Sequence, residues 1–152
     1  LCAVPVRGMA EASLAVGFRI APRIAFLTGG AAWVPMLEEF CALHGFGRDQ
    51  VLVRAVAPTG DMIAREPDRA LALLAEAACA AAVEGAGAVV LGGAGLAGLA
   101  ARIASEVPVP LLDSLDCALI EAAAGAATVS PAVQAPQVGL SPALAALFAG
   151  AR

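Results

Sequence analysis

The chain has 152 residues and a formal net charge of −4 at pH 7, with nine arginines and no lysine. Scattered arginines and 4% aromatic residues provide neither the basic surface nor the stacking side chains of a nucleic-acid-binding protein. The 61% hydrophobic fraction rests largely on 40 alanines, and the longest uncharged stretches, 122–151 and 85–101, are interrupted by proline or glycine, so no membrane span is expected.

Short apolar segments rich in β-branched residues alternate along the chain with alanine-rich segments. Strands are predicted at 4–7, 24–28, 51–56, 88–91 and 107–111. Helices are predicted at 9–17, 31–44, 68–84, 96–105, 114–124 and 142–149. Nearly uniformly apolar strands that each lead into a helix are typical of a parallel sheet covered on both faces. The sequence therefore predicts an α/β fold in which the last four of these strands form one parallel sheet.

The four cysteines, Cys2, Cys41, Cys79 and Cys117, follow one another at intervals of 39, 38 and 38 residues. This interval is close to the length of one strand–helix unit, and the last three fall in predicted helices, so they are interpreted as small apolar residues facing the sheet. A single histidine and no CxxC motif predict no metal site. Because the cysteines are expected to be reduced and no signal-peptide pattern is present, the sequence predicts a cytoplasmic protein. The start at Leu1 predicts a further segment upstream.

The loops that follow the predicted strands are rich in small and hydroxylic residues. In a parallel sheet, ligands bind beside the carboxyl ends of the strands, where such loops meet. Backbone N–H groups at helix starts suit a carboxylate, an imide or a phosphate. The candidate ligand contacts are Thr28, Gly29, Gly92, Gly93, Ala94, Gly95 and Asp113.

One of these loops also matches a dinucleotide-binding pattern. Gly93, Gly95 and Gly98 form a GxGxxG sequence between a predicted strand and a predicted helix, and Asp113 follows 20 residues after the first glycine. The pattern would place a pyrophosphate at the turn and the ribose hydroxyls of NAD on the carboxylate. Only 39 residues follow Asp113, too few for a second nucleotide-binding half, so NAD binding is kept as an alternative.

Several ordered segments together carry a family resemblance that covers nearly the whole chain. They are VPVRGMAEA at 4–12, RIAFLT at 23–28, WVPML at 33–37, GAGAVVLGGAGLA at 85–97, VPVPLLD at 107–113 and GLS at 139–141. In this order and spacing the chain resembles the Asp/Glu/hydantoin racemase family, and within it the hydantoin racemase branch.

The resemblance implies a cofactor-independent racemase with two pseudo-symmetric αβα lobes and the substrate, a small carboxylate or hydantoin-like imide, between them. One cysteine from each lobe faces the stereocentre; one thiolate removes the proton and the other thiol delivers a proton from the opposite side. The resemblance also implies that residues 23–113 form the second lobe. Residues 1–22 would then be a remnant of the first lobe, and residues 114–152 a helix and tail that return toward it.

Both family cysteines are missing from the matching positions. Gly93 stands where the second-lobe cysteine falls, and the first-lobe cysteine belongs to a segment upstream of the strand at 4–7. The sequence therefore predicts that this chain does not carry out two-cysteine racemisation. The alternatives are a one-cysteine decarboxylase or isomerase of the same superfamily, a non-catalytic binding homologue, and the NAD-binding domain. Apolar surface left uncovered by a first lobe predicts a homo-oligomer.

Overall fold

Four parallel strands form the centre of the part of the chain that the structure describes. The computed structural model describes residues 6–56, 60–125, 139 and 141–149. The strands are β1 (Ile24–Gly29), β2 (Val51–Val56), β3 (Ala88–Gly92) and β4 (Leu111–Asp113), in the sheet order β2-β1-β3-β4. All three pairings are parallel, and Ile24 lies opposite both Val51 and Ala88. The predicted single parallel sheet is confirmed.

Helices precede, separate and follow the strands along the chain. They are α1 (Met9–Ile20), α2 (Trp33–Leu43), α3 (Gly60–Arg65), α4 (Pro67–Val83), α5 (Ala100–Ile103), α6 (Ser114–Ala123) and α7 (Pro142–Ala149). The short helix α3 was not predicted, since its first residues were assigned to the loop at 57–61, of which 57–59 lie outside the described residues. In the described part of the chain, no helix combines the length and the hydropathy that a membrane span requires.

The sheet buries side chains on both faces because successive residues of a strand point to opposite sides. On one face, Leu27 packs with Leu74 and Ala78 of α4. On the other face, Phe26 packs in a cluster that includes Leu14 of α1. Burial of side chains as large as Leu27 and Phe26 contributes about 1.5–3 kcal/mol each. Helices on both faces of the sheet confirm the predicted layering.

The last strand begins four residues later than the predicted strand at 107–111. Pro108 and Pro110 have no backbone N–H and cannot donate hydrogen bonds to a neighbouring strand. The pairing therefore starts at the carbonyl of Pro110, which accepts a hydrogen bond of 2.9 Å from the N–H of Val89. The short strand β4 ends at Asp113, directly before α6.

Two further predicted elements differ from the structure. The helix predicted at 96–105 is replaced by a 3-10 turn at Ala94–Leu96, the four residues of α5 and a second 3-10 turn at Ala104–Glu106. Gly98 interrupts the helix because its φ is 79° and a carboxylate, not a helix carbonyl, accepts its N–H. The strand predicted at 4–7 is absent from residues 6 and 7, and residues 4 and 5 lie outside the described residues.

Candidate functional site

A cavity of about 640 Å³ opens at the carboxyl edge of the sheet. It lies over the ends of β1 and β3, from which the chain continues in opposite directions, to β2 and to β4. Open parallel sheets bind ligands at such a switch point, and this volume suits a small molecule. The lining residues are Met9, Ala10, Phe26, Thr28, Gly29, Gly30, Trp33, Leu37, Val56, Gly60, Ile63, Gly92, Gly93, Ala94, Gly95, Leu96 and Ser114.

Six of the seven predicted ligand contacts line this cavity. They are Thr28, Gly29, Gly92, Gly93, Ala94 and Gly95. Thr28 is 5% exposed at the end of β1, and its hydroxyl makes no hydrogen bond with another described residue. A hydroxyl at the cavity wall without a protein partner is available to a ligand. Thr28 is therefore the strongest side-chain candidate in the cavity.

The turn after β3 has a conformation that favours glycine. Gly93 has φ 108° and ψ 148°, a backbone region that is costly for any residue with a Cβ atom. A Cβ atom placed at this position would meet no heavy atom within 4 Å, so the strain comes from the backbone and not from crowding. The position that the family resemblance gives to a cysteine is thus an open, left-handed glycine.

Asp113, the seventh predicted contact, does not line the cavity. It is 5% exposed, and its carboxylate accepts hydrogen bonds from the N–H of Leu115 at 2.9 Å and the N–H of Gly98 at 2.5 Å. The first of these bonds caps the start of α6. Asp113 therefore orders the chain beside the cavity, and its contact with a ligand stays a prediction.

The same contacts bear on the dinucleotide alternative. That pattern needs a helix of useful length after the glycine turn, whereas α5 has only four residues. It also needs a carboxylate that is free for the ribose hydroxyls, whereas the carboxylate of Asp113 holds two backbone N–H groups. NAD binding at Gly93, Gly95 and Gly98 stays a prediction without structural support.

Among the described residues, the polar side-chain groups of the cavity are the hydroxyls of Thr28 and Ser114 and the indole N–H of Trp33. None of the described residues that line it has an ionisable side chain. The first turn of α1 contributes Met9 and Ala10 to the wall. The N-cap residue, Gly8, has no side chain that could accept a hydrogen bond from this turn. The first N–H groups of a helix lack partners within the helix and carry a partial positive charge. The cavity therefore favours ligand oxygens without offering a counter-ion to a full charge.

The described thiols lie away from this cavity. Burial raises the pKa of Cys41, between α2 and the sheet, to about 11. Burial also raises the pKa of Cys117, which packs against α1. Sγ of Cys79 lies 3.3 Å from the carbonyl oxygen of Glu106, to which its S–H donates a hydrogen bond. None of the three lines the cavity, and Cys2 lies outside the described residues.

The sequence prediction did not include several residues that line the cavity. They are Met9, Ala10, Phe26, Trp33 and Ile63, among others. In an α/β unit each helix that runs back along a strand begins near the carboxyl edge of the sheet. That rule, applied to the helix starts, would have found Met9 and Trp33. Ile63 belongs to the unpredicted α3, and no sequence pattern indicates it.

Comparisons with known proteins agree with the family resemblance. The family model described as Asp/Glu/Hydantoin racemase matches residues 1–122. A hydantoin racemase of Rhizobium meliloti is 33% identical over 116 residues, which are 76% of this chain and 48% of that protein. Solved structures of allantoin racemase from Pseudomonas fluorescens and allantoin racemase from Klebsiella pneumoniae match with TM-scores of 0.75 and 0.68 and identities of 26% and 27%. Both matches cover 82% of this chain and 53% of the other, so the chain spans about half the length of these relatives.

Proposed function

The chain belongs to the Asp/Glu/hydantoin racemase family, and we propose that it binds a small uncharged cyclic imide or ureide of the hydantoin type. The ligand occupies the cavity over β1 and β3. The observation that carries this proposal is the absence of any ionisable side chain among the described residues of the lining. A charged amino acid or dicarboxylate would lose its hydration there without gaining a counter-ion. Of the ligands that the sequence suggests, the imide fits better than the carboxylate.

The polar groups of the cavity match those of a hydantoin ring. The ring carbonyls are acceptors for the N–H groups of Ala94 and Gly95, which donate to no described residue. The hydroxyls of Thr28 and Ser114 can each donate or accept a hydrogen bond, and they orient the ring N–H and carbonyl groups. The apolar wall, including Phe26 and Trp33, covers the faces of the ring.

Binding by this chain is proposed without proton transfer by its described thiols. Racemisation needs a base and an acid on opposite faces of the stereocentre. Cys41, Cys79 and Cys117 lie outside the cavity, and Gly93 has no side chain that carries a proton. The contribution proposed for this chain is to hold the ring and to polarise its carbonyl groups through backbone N–H groups.

The proposed arrangement of the chain follows the two-lobed family pattern, with 23–113 as the second lobe. Segments 1–22 and 114–152 belong together in this arrangement. Its support is the packing of α1 on α6, where Arg19 pairs with the buried carboxylate of Glu121 at 2.5 Å. Exposed apolar side chains on α6, among them Leu119 and Ile120, support the proposed homo-oligomer. The cytoplasmic location stays a prediction.

Calorimetric titration of the full chain tests the proposed function. Hydantoin and allantoin are expected to bind, whereas aspartate and NAD are not. Binding of aspartate in preference to hydantoin would overturn the proposal, and micromolar binding of NAD would favour the dinucleotide alternative. The optical rotation of a single enantiomer of a 5-substituted hydantoin measures racemisation. If the rotation decayed faster with the chain than in buffer, binding without proton transfer would be contradicted.

A further inference from the structure

Two consecutive residues hold the glycine-rich turn of the cavity at both of its ends. The N–H of Gly93, at the start of the turn, donates to Oγ of Ser114 at 3.2 Å. The N–H of Gly98, at its end, donates to Oδ2 of Asp113 at 2.5 Å. Both glycines have positive φ, 108° and 79°, and both acceptors are buried.

The segment between these two contacts is a 3-10 turn at Ala94–Leu96, and the buried side chain of Leu96 holds its middle against the core. A glycine-rich turn loses more backbone entropy on ordering than any other kind of segment. The N–H groups of Ala94 and Gly95, which the proposed function assigns to the ligand carbonyls, lie between the two anchored glycines. Their direction depends on the two anchored glycines together with the buried Leu96.

We propose that Asp113 and Ser114 are positioning residues that fix the 93–98 turn and thereby aim its N–H groups into the cavity. The role toward the ligand rests on the proposed function. Asp113 acts through the turn because its side chain does not line the cavity. Ser114 lines the cavity itself, and its hydroxyl hydrogen is still available after Oγ has accepted the N–H of Gly93.

The two carboxylate oxygens of Asp113 make different contacts, which allows a selective substitution. Oδ1 accepts from Leu115 and caps α6, whereas Oδ2 accepts from Gly98. Asparagine has one side-chain acceptor and is a good N-cap residue, so Asp113→Asn retains the cap and loses the contact to Gly98. The matched control is Asp116→Asn, an identical change in charge at an exposed residue of the same helix turn.

Amide hydrogen exchange on the full chain measures directly how well the two hydrogen bonds protect the amides of Gly93 and Gly98. Asp113→Asn is expected to accelerate exchange at Gly98 about threefold to tenfold, the effect of one lost hydrogen bond. Ser114→Ala is expected to do the same at Gly93, and Ser114→Thr, which keeps the hydroxyl, is expected to restore slow exchange. Asp116→Asn should leave both rates unchanged, and Val90 in β3 serves as the internal reference. Unchanged exchange at both glycines would overturn the positioning role.

Hydantoin affinity, measured by calorimetry on the same variants, tests the consequence for the ligand. Asp113→Asn is expected to raise the dissociation constant about threefold to tenfold although Asp113 does not line the cavity. Faster exchange at Gly98 with unchanged affinity would overturn the role toward the ligand. A wild-type chain that binds no hydantoin would overturn the proposed function, and the exchange rates would then decide whether Asp113 and Ser114 hold the turn.

Discussion

The described thiols of this chain and its cavity occupy different regions of the fold. Cys41 and Cys117 are buried in packed helix contacts, where burial raises the pKa of each thiol. The cavity is built from the ends of β1 and β3, with glycines, apolar side chains, two hydroxyls and free backbone N–H groups. In the described part of this chain, the cavity is thus separate from the thiols, and it consists mainly of backbone and apolar side chains at the edge of the sheet.

A thiol introduced into the cavity should behave unlike the existing ones. The variant Gly93→Cys presents its side chain to open space and is expected to have a pKa near or below the ordinary value of about 8.5. Since the pKa of Cys41 is about 11, the new thiol should be alkylated at pH 7 at least about two orders of magnitude faster than Cys41. Peptide mass spectrometry after timed labelling gives both rates. Equal rates would show that position 93 is an ordinary turn glycine and would remove it from the site.

The buried thiol of Cys41 should make the stability of the protein depend on alkaline pH. Its pKa is raised from 9.0 to about 11, so the folded state favours the protonated form. The resulting stabilisation is complete below pH 9 and is lost as the pH rises through 11, by about 3 kcal/mol. The chain has no lysine and no tyrosine, so few other groups titrate in this window.

Urea unfolding at pH 8 and at pH 11 checks this expectation. The wild type should lose more free energy of unfolding between the two pH values than Cys41→Ala does. Cys117 is present in both proteins and contributes equally. An identical loss in the two proteins would mean that Cys41 is not the buried thiol described here.

The left-handed backbone of Gly93 should make it more sensitive to substitution than its neighbour. Gly93→Ala is expected to lower the free energy of unfolding by about 1–3 kcal/mol because φ is 108° there. Gly95→Ala is the matched control, since Gly95 has no positive φ and equally open space around its Cβ position. Thermal unfolding of the two variants gives the comparison. Equal stability would contradict the strained conformation at position 93.

The free hydroxyl of Thr28 should matter for binding and little for folding. Thr28→Val keeps the shape of the side chain, and because the hydroxyl has no partner among the described residues, the free energy of unfolding should change by less than about 0.5 kcal/mol. The dissociation constant for hydantoin should rise about threefold to tenfold through the lost hydrogen bond. Thr28→Ser retains the hydroxyl and should bind nearly as the wild type does. A loss of stability without a loss of affinity would make the hydroxyl structural.

The parallel sheet was predictable because its strands are mostly apolar segments, of which β1 and β3 end in glycine. That signal is local, and it located β1, β2 and β3 within one residue. It failed at 107–111, where Pro108 and Pro110 have apolar neighbours but cannot donate to a ladder. It failed again at 96–105, where the alanine-rich composition favours a helix but Gly98 is bound by a carboxylate from β4.

The cavity residues were predictable where strand ends define them, and less so elsewhere. Thr28 and Gly92 follow from the rule that ligands bind at the carboxyl edge of a parallel sheet. Asp113 satisfies the same rule, yet its carboxylate is used by the N–H groups of Gly98 and Leu115. Which acceptor takes a given N–H depends on tertiary packing, and no spacing in the sequence reports it.

Amide NMR of the full chain during titration with hydantoin tests whether the cavity over β1 and β3 binds an uncharged ring without the described thiols. Saturable shifts are expected at Thr28, Ala94 and Gly95, with Cys41 and Cys117 unaffected. Shifts that cluster around Cys41 or Cys117, or no shift at millimolar hydantoin, would contradict this binding.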